Sequence, residues 1–148
     1  MAIGDNQIGT EGAVVRRSSV CILLTAAIPT TGRVLDLVIP RGAFVSKMEF
    51  YTGNPPSSGS ETMDVGWTAG TYNLPGTQTG LTNEAGDDDG IGTLTNANLR
   101  SSGRIILNGG AALQQKRFTA DVNVVITPSA ATAQTGGRML FHLYYVVD

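Results

Sequence analysis

Val34 to Thr52 reads VLDLVIPRGAFVSKMEFYT. Two runs dense in β-branched and aromatic residues meet at Pro40-Arg41-Gly42-Ala43, a breaker cluster that reads as a tight corner between two strands and not as part of a helix. The corner is expected to join a strand pair. Its first arm, Val34 to Ile39, is nearly continuous in apolar residues, which predicts burial on both faces or deep packing. The second arm alternates: Phe44, Met48 and Phe50, with Ser46, share one face, and Val45, Lys47, Glu49 and Tyr51 share the other. One face is core and the other half exposed.

Downstream, Gly53 to Gly59 is a loop by composition, and Glu61 to Thr68 is a short strand with Met63, Val65 and Trp67 on one face. Burying Trp67, the single tryptophan, requires an acceptor for its indole N–H. Residues 69 to 103 are rich in Gly, Thr and Asn, and a structureless loop of that length is unusual in a compact domain. Short hidden elements are therefore expected there, including a helical turn near Thr93 to Leu99. Asn108-Gly109-Gly110 predicts a hairpin between Arg104–Leu107 and Leu113–Phe118, because tight hairpin turns need positive φ. Phe118 to Ile126 alternates cleanly. Arg138 to Val147 is an aromatic-rich last strand, expected to pair antiparallel with the strand before it.

Upstream, Ala13 to Ala27 is one bent strand or two short ones, ended by Ile28-Pro29-Thr30-Thr31-Gly32. Residues 1 to 12 carry isolated Ile3 and Ile8 among Gly, Asp, Asn and Gln. They read either as a frayed terminus or as an extended arm that lies on a neighbouring subunit with Ile3 and Ile8 as anchors. The chain thus divides into an arm, 1 to 12, and one domain, 13 to 148. About eight strands with almost no helix predict an all-β fold, a jelly-roll-like antiparallel β-sandwich.

Composition narrows the function classes. Only 15% of the 148 residues are charged, Gly numbers 19, and the formal net charge is −2. That balance suits short strands and many turns rather than a helical bundle. A nucleic-acid binder would carry a basic stripe, and no basic run is longer than the pair Arg16-Arg17, so no nucleic-acid partner is expected. No signal sequence or membrane-length apolar run is visible, which leads to the expectation of a soluble protein made in a cytoplasm. Cys21, alone in the chain, lies in the run Val20 to Leu24 and reads as a buried structural thiol.

Catalytic chemistry has little to stand on. His142 is the single histidine, mid-strand and without a nucleophile motif, and reads as structural. No catalytic residue, cofactor or zinc site is expected. Asp87, Asp88 and Asp89 form the one dense carboxylate cluster. They are a candidate Ca²⁺ or Mg²⁺ site, although calcium loops space their acids at alternate positions, and otherwise a solvated acidic loop tip. A glycan site would draw on aromatics such as Tyr51, Trp67 and Tyr72.

VLDLVIPRGAFVSKMEFYT, then a Pro/Gly/Ser loop, then TMDVGWTAG, and finally GRMLFHLYYVVD resembles the small β-structured head proteins of tailed bacteriophages. The matching positions are Ile39-Pro40, Gly42-Ala43, Val65-Gly66 and Gly137 through Tyr145; the likeness departs in 69 to 103. The resemblance implies a virion structural protein: a decoration, cement or auxiliary protein on the outside of a capsid, assembled in the host cytoplasm. It implies the major capsid protein and further copies of itself, commonly in a homotrimer, as partners. Ile3, Ile8, Arg16, Arg17, Arg41 and Arg138 are the contact candidates, the arginines because a planar multi-donor head suits interfaces; scattered solubilising charge is the other reading of them. A glycan-binding module of a fibre or adhesin, with its site in the 69 to 103 loops, is the alternative from a different class.

Overall fold

A computed structural model describes residues 14–53, 55, 60–72, 82–130 and 137–147. The strands in chain order are β1 (Val15–Leu23), β2 (Arg33–Ile39), β3 (Ala43–Gly53), β4 (Met63–Trp67), β5 (Gly70–Tyr72), β6 (Thr82–Glu84), β7 (Asp87–Leu94), β8 (Ile105–Leu107), β9 (Val122–Pro128) and β10 (Arg138–Val147). Two short helices, α1 (Asn96–Leu99) and α2 (Gly110–Gln114), flank β8. One four-stranded sheet has the order β1-β10-β3-β8 and the other β2-β9-β4-β7, with β5-β6 as a separate ribbon.

Every pairing is antiparallel, and the pairings are nested. β1 pairs with β10, β2 with β9, β3 with β8, β4 with β7 and β5 with β6. The chain is one long ribbon doubled back at β5–β6 and then wound so that alternate pairs fall in opposite sheets. That is the jelly roll, as expected from the strand count and turn spacing. Between the sheets lies a core in which Phe50 packs on Phe141 at 5.2 Å and Trp67 meets Phe118 edge to face at 4.9 Å. Both pairings fall in the separation range that the ring quadrupole favours.

The Pro40–Gly42 corner does not join a pair. β2 belongs to one sheet and β3 to the other, so the corner carries the chain across the sandwich. The corner is closed by Ala43 N–H donating to the Pro40 carbonyl at 3.1 Å, and Gly42, at φ +85°, donates to the Phe118 carbonyl at 2.8 Å. A hairpin would set Leu35, Leu37 and Ile39 in the same layer as Ala43 and Val45. The crossing lets these two buried sets face each other instead. β2 also buries one face only: Val34, Asp36 and Val38 point outward, because an edge strand of an outer layer has core on one side alone.

β3 departs from simple alternation for a visible reason. Tyr144 faces Lys47 while Tyr145 faces Val45, which leaves Ser46 as an extra residue in a β-bulge. The bulge resets the phase, so that Ala43 and Val45 point inward before it and Met48, Phe50 and Thr52 after it. Phe44, expected beside Met48 and Phe50, is half-buried on the opposite side. The bulge is held from two directions, by Ser46 Oγ donating to the Tyr144 carbonyl at 3.2 Å and by Gln114 Nε2 donating to the Ser46 carbonyl at 2.8 Å.

Three further expectations are corrected. Asn108-Gly109-Gly110 starts α2 and not a hairpin: Gly109 and Gly110 take positive φ, but the Ala111 to Gln114 run favours helix and drives Leu113 into the core. β9 and β10 lie in opposite sheets and do not pair. Cys21 is exposed, because the odd-numbered residues of β1 face outward while Val20 and Ile22 face the core. The 69 to 103 segment does contain short elements, β5, β6, β7 and α1. The α1 turn carries a reciprocal capping box in which Asn98 N–H donates to Thr95 Oγ1 and Thr95 N–H donates to Asn98 Oδ1.

Candidate functional site

The strand register places the candidate arginines. Arg16 and Arg17 are exposed at the start of β1, opposite Tyr145 and Tyr144. Arg41 is exposed in the corner that leads into Ala43, whose partner is Val147. These three therefore share one end of the sandwich, called here the corner end. Arg138, between Leu23 and Gly53, sits at the other end, with its side chain lying across Gly53. Ile3, Ile8 and the 1 to 12 arm lie outside the described residues. Arg41 is also fixed locally: its guanidinium stands 3.9 Å from the centre of the Tyr72 ring, and its backbone N–H donates to Asp121 Oδ1 at 2.7 Å. Stacking of this kind holds a cation while leaving its donors available.

Asp87, Asp88 and Asp89 are exposed on β7, an edge strand, and not on a loop tip. They bring carboxylate oxygens within 4.8 Å of one another. The hydrogen bond shared with Asp87, then the Asp87 charge, push the Asp89 carboxyl above the usual aspartate range. Asp87 and Asp89 edge a cleft of about 350 Å³ that also takes in Trp67, Glu84, Leu113 and Lys116. Glu84 is buried there and engaged: it accepts from Lys116 at 2.6 Å and from Thr119 N–H at 3.0 Å. The Trp67 indole is 4% exposed and donates to the Ala85 carbonyl at 2.9 Å, which supplies the acceptor its burial requires.

The aromatics named for a sugar site are committed elsewhere. Trp67 is in the core, Tyr72 carries Arg41, and Tyr51 stands edge-on to His142 at 5.7 Å. A stacking platform needs an open ring face.

One constellation was not visible in the chain order. On the outer face of the β1 sheet, His142 faces Ser19 on one side and Glu49 on the other. Ser19 Oγ is 2.5 Å from His142 Nδ1. Glu49, 4% exposed, accepts from the Tyr144 hydroxyl at 2.7 Å and is approached by Arg104 at 3.3 Å and Lys47 at 3.6 Å. The Tyr144 hydrogen bond, with the Lys47 and Arg104 charges, outweighs burial and lowers the Glu49 carboxyl below its usual range. The residue types are those of a hydrolase triad, but the carboxylate is taken by tyrosine, lysine and arginine and does not orient the imidazole. The group ties three strands, β1, β10 and β3, together as a cross-strand ladder, with Arg104 reaching in from just before β8. Sequence alternation had placed Glu49 outward; only the register shows the partners that bury it.

The strand order and the nested pairing define the chain as a jelly-roll sandwich. The same fold occurs in chains of solved phage capsids. A chain from the capsid of Ralstonia phage GP4 matches with TM-score 0.63 at 17% identity, over 91% of this chain and 85% of that one. A chain of the cyanophage Pam1 capsid asymmetric unit matches with TM-score 0.64 at 16% identity, over 93% and 87%. A chain of the acid-stable capsid of Helicobacter pylori bacteriophage KHP30 matches with TM-score 0.51 at 17% identity, over 90% and 94%. At these identities the likeness is one of fold. No family model matches the chain, and no curated protein matches it significantly.

Proposed function

We propose that this chain is a structural protein of a phage virion, a decoration or cement protein that binds the major capsid protein shell as a homo-oligomer, with a trimer as the expected state. The observation that carries the reading is the likeness to capsid chains along nine-tenths of this chain and most of theirs, without a large unmatched part on either side. A whole-length match of this kind supports a capsid component of similar size rather than a shared module inside a different machine.

The chemistry agrees. Three buried carboxylates are engaged in holding the fold together: Glu49 accepts from Tyr144 across two strands, Glu84 on β6 pairs with Lys116, and Glu61 pairs with Arg100 at 2.8 Å. Exposed Arg16, Arg17 and Arg41 gather at the corner end, which is the end we assign to the shell, and residues 1 to 12 are assigned as the arm that reaches a neighbouring subunit. The function proposed is mechanical and not catalytic.

The test is co-sedimentation of purified protein with empty capsids, compared with a variant lacking residues 1 to 12. Wild type is expected in the capsid pellet, and the truncated protein in the supernatant with an unchanged melting temperature. Wild type that stays in the supernatant sinks the capsid role; truncated protein that pellets as well as wild type sinks the role of the arm.

A further inference from the structure

The two sides of the sandwich end differently. Each sheet has two outer strands: β1 and β2 border one side, β8 and β7 the other. An edge strand exposes unpaired backbone, and folded proteins guard such edges with charge or cover them. The β7 edge is guarded by three consecutive aspartates. The β1–β2 side carries Arg16, Arg17, Arg33 and Asp36, but among its described residues apolar side chains stand exposed beside these charges. Val15 (59% exposed), Leu23 (63%) and Val34 (57%) project from it, with Val38 also exposed. Two shallow grooves of about 400 and 550 Å³ run along it, one beside Ser18 and Val38 and one beside Val20 and Val34. Apolar side chains along an open edge mark a surface that something covers.

The register says what fits. Arg16 lies opposite Tyr145, which faces Val45, just inside the corner end. Asp87 lies opposite Trp67, Trp67 opposite Val124, and the nearby Val122 opposite Ile39, the last residue before the corner. Arg16 and Arg17 on one side and Asp87 to Asp89 on the other therefore stand at the same height along the strands. Neither arginine makes an ion pair among the described residues.

We propose that a second copy of this chain covers the β1–β2 edge, the β7 edge of one copy lying against β1 of the next so that the aspartates of the first face Arg16 and Arg17 of the second. The contacting surfaces are different and level with each other, so the association is head-to-tail with no rise along the strands, and it closes into a ring where the rotation between copies divides a full turn. Opposite charges set the register, and Val15, Leu23 and Val34 supply the apolar area. This rests on the self-association proposed above and assigns its surfaces.

The test is solution mass by light scattering for wild type, R16E/R17E, D87K/D88K/D89K and the combined five-site swap. Wild type is expected as a closed oligomer, each partial swap at the mass of a single chain, and the combined swap back at the wild-type mass. A partial swap that keeps the wild-type mass overturns the assignment, as does a combined swap that stays a single chain. Independently, the wild-type dissociation constant should rise at least tenfold between about 0.05 M and about 1 M NaCl as the Debye length shrinks; a constant that does not move also overturns it. A single-chain wild type overturns self-association itself, while capsid co-sedimentation reports on the capsid role separately.

Discussion

The Tyr144 hydroxyl donates to Glu49 Oε1 at 2.7 Å across the β10–β3 ladder, and this bond is the largest influence holding the Glu49 carboxyl below its ordinary 4.5. The folded-state value is the lower one, so the unfolded chain binds the extra proton. The contribution to stability is therefore complete above pH 4.5 and fades as pH falls through the lowered value. Tyr144→Phe should flatten that acid-side loss in a series of thermal melts and cost about 1–3 kcal/mol near neutral pH, because a buried carboxylate loses a partner. An unchanged acid limb would show that Tyr144 does not set the Glu49 titration.

Ser46 is the supernumerary residue of the bulge, so its removal leaves Val45 and Met48 still facing inward. Deleting Ser46 should give a folded protein with a modestly lower melting point, since only the bulge contacts with Tyr144 and Gln114 are lost. Deleting Tyr51, in the regular part of the same strand, slips the register and turns one face of β3 inside out. That variant should lack a cooperative transition by circular dichroism.

Gly66 sits in β4 where β7 bulges: Val65 faces Gly92, but Trp67 faces Asp87. A Cβ on residue 66 would overlap the Asp87 carbonyl and the Asp88 backbone. Gly66→Ala should therefore separate β4 from β7 and cost more than the roughly 1–3 kcal/mol of ordinary overpacking, read as a loss of stability in urea titration. A variant within 0.5 kcal/mol of wild type, about the scatter of a surface substitution, would contradict this packing.

Cys21 faces solvent from β1. A maleimide should label it in R16E/R17E, the variant expected as a single chain, at a rate close to that in urea; strong protection in that single chain would place the thiol back in the core.

Much of this was legible in the chain because alternation is a local property. Met63 to Trp67 and Val122 to Ile126 show their buried face directly, and the fold class followed from strand count and turns. What was hidden depends on long-range pairing. The Pro40 corner looks the same locally whether it joins two strands of one sheet or crosses between sheets, and the choice is made by β9 and β10, which claim β2 and β3 respectively. Cys21 sits in an apolar run, yet an edge strand has one dry face. Asn108-Gly109-Gly110 has hairpin chemistry, but Leu113 gains more from a helix that buries it. At the candidate surface, Arg16, Arg17 and Asp87 to Asp89 were visible as charges, and only the strand register shows that they stand level.

The nested ribbon has a kinetic meaning. Ser18 meets Tyr145 across 127 residues of chain, and closing that contact first would bear the full entropy of a very long loop. With β5–β6 closed, β4–β7 closes a much smaller additional loop, and each later pair adds only the linkers that precede and follow it. The path of least entropic cost zips from the middle of the chain toward its ends. The β1–β10 pair, which carries Arg16 and Arg17, is then the last to form, so the surface assigned to the next copy is complete only once the rest of the sandwich is in place.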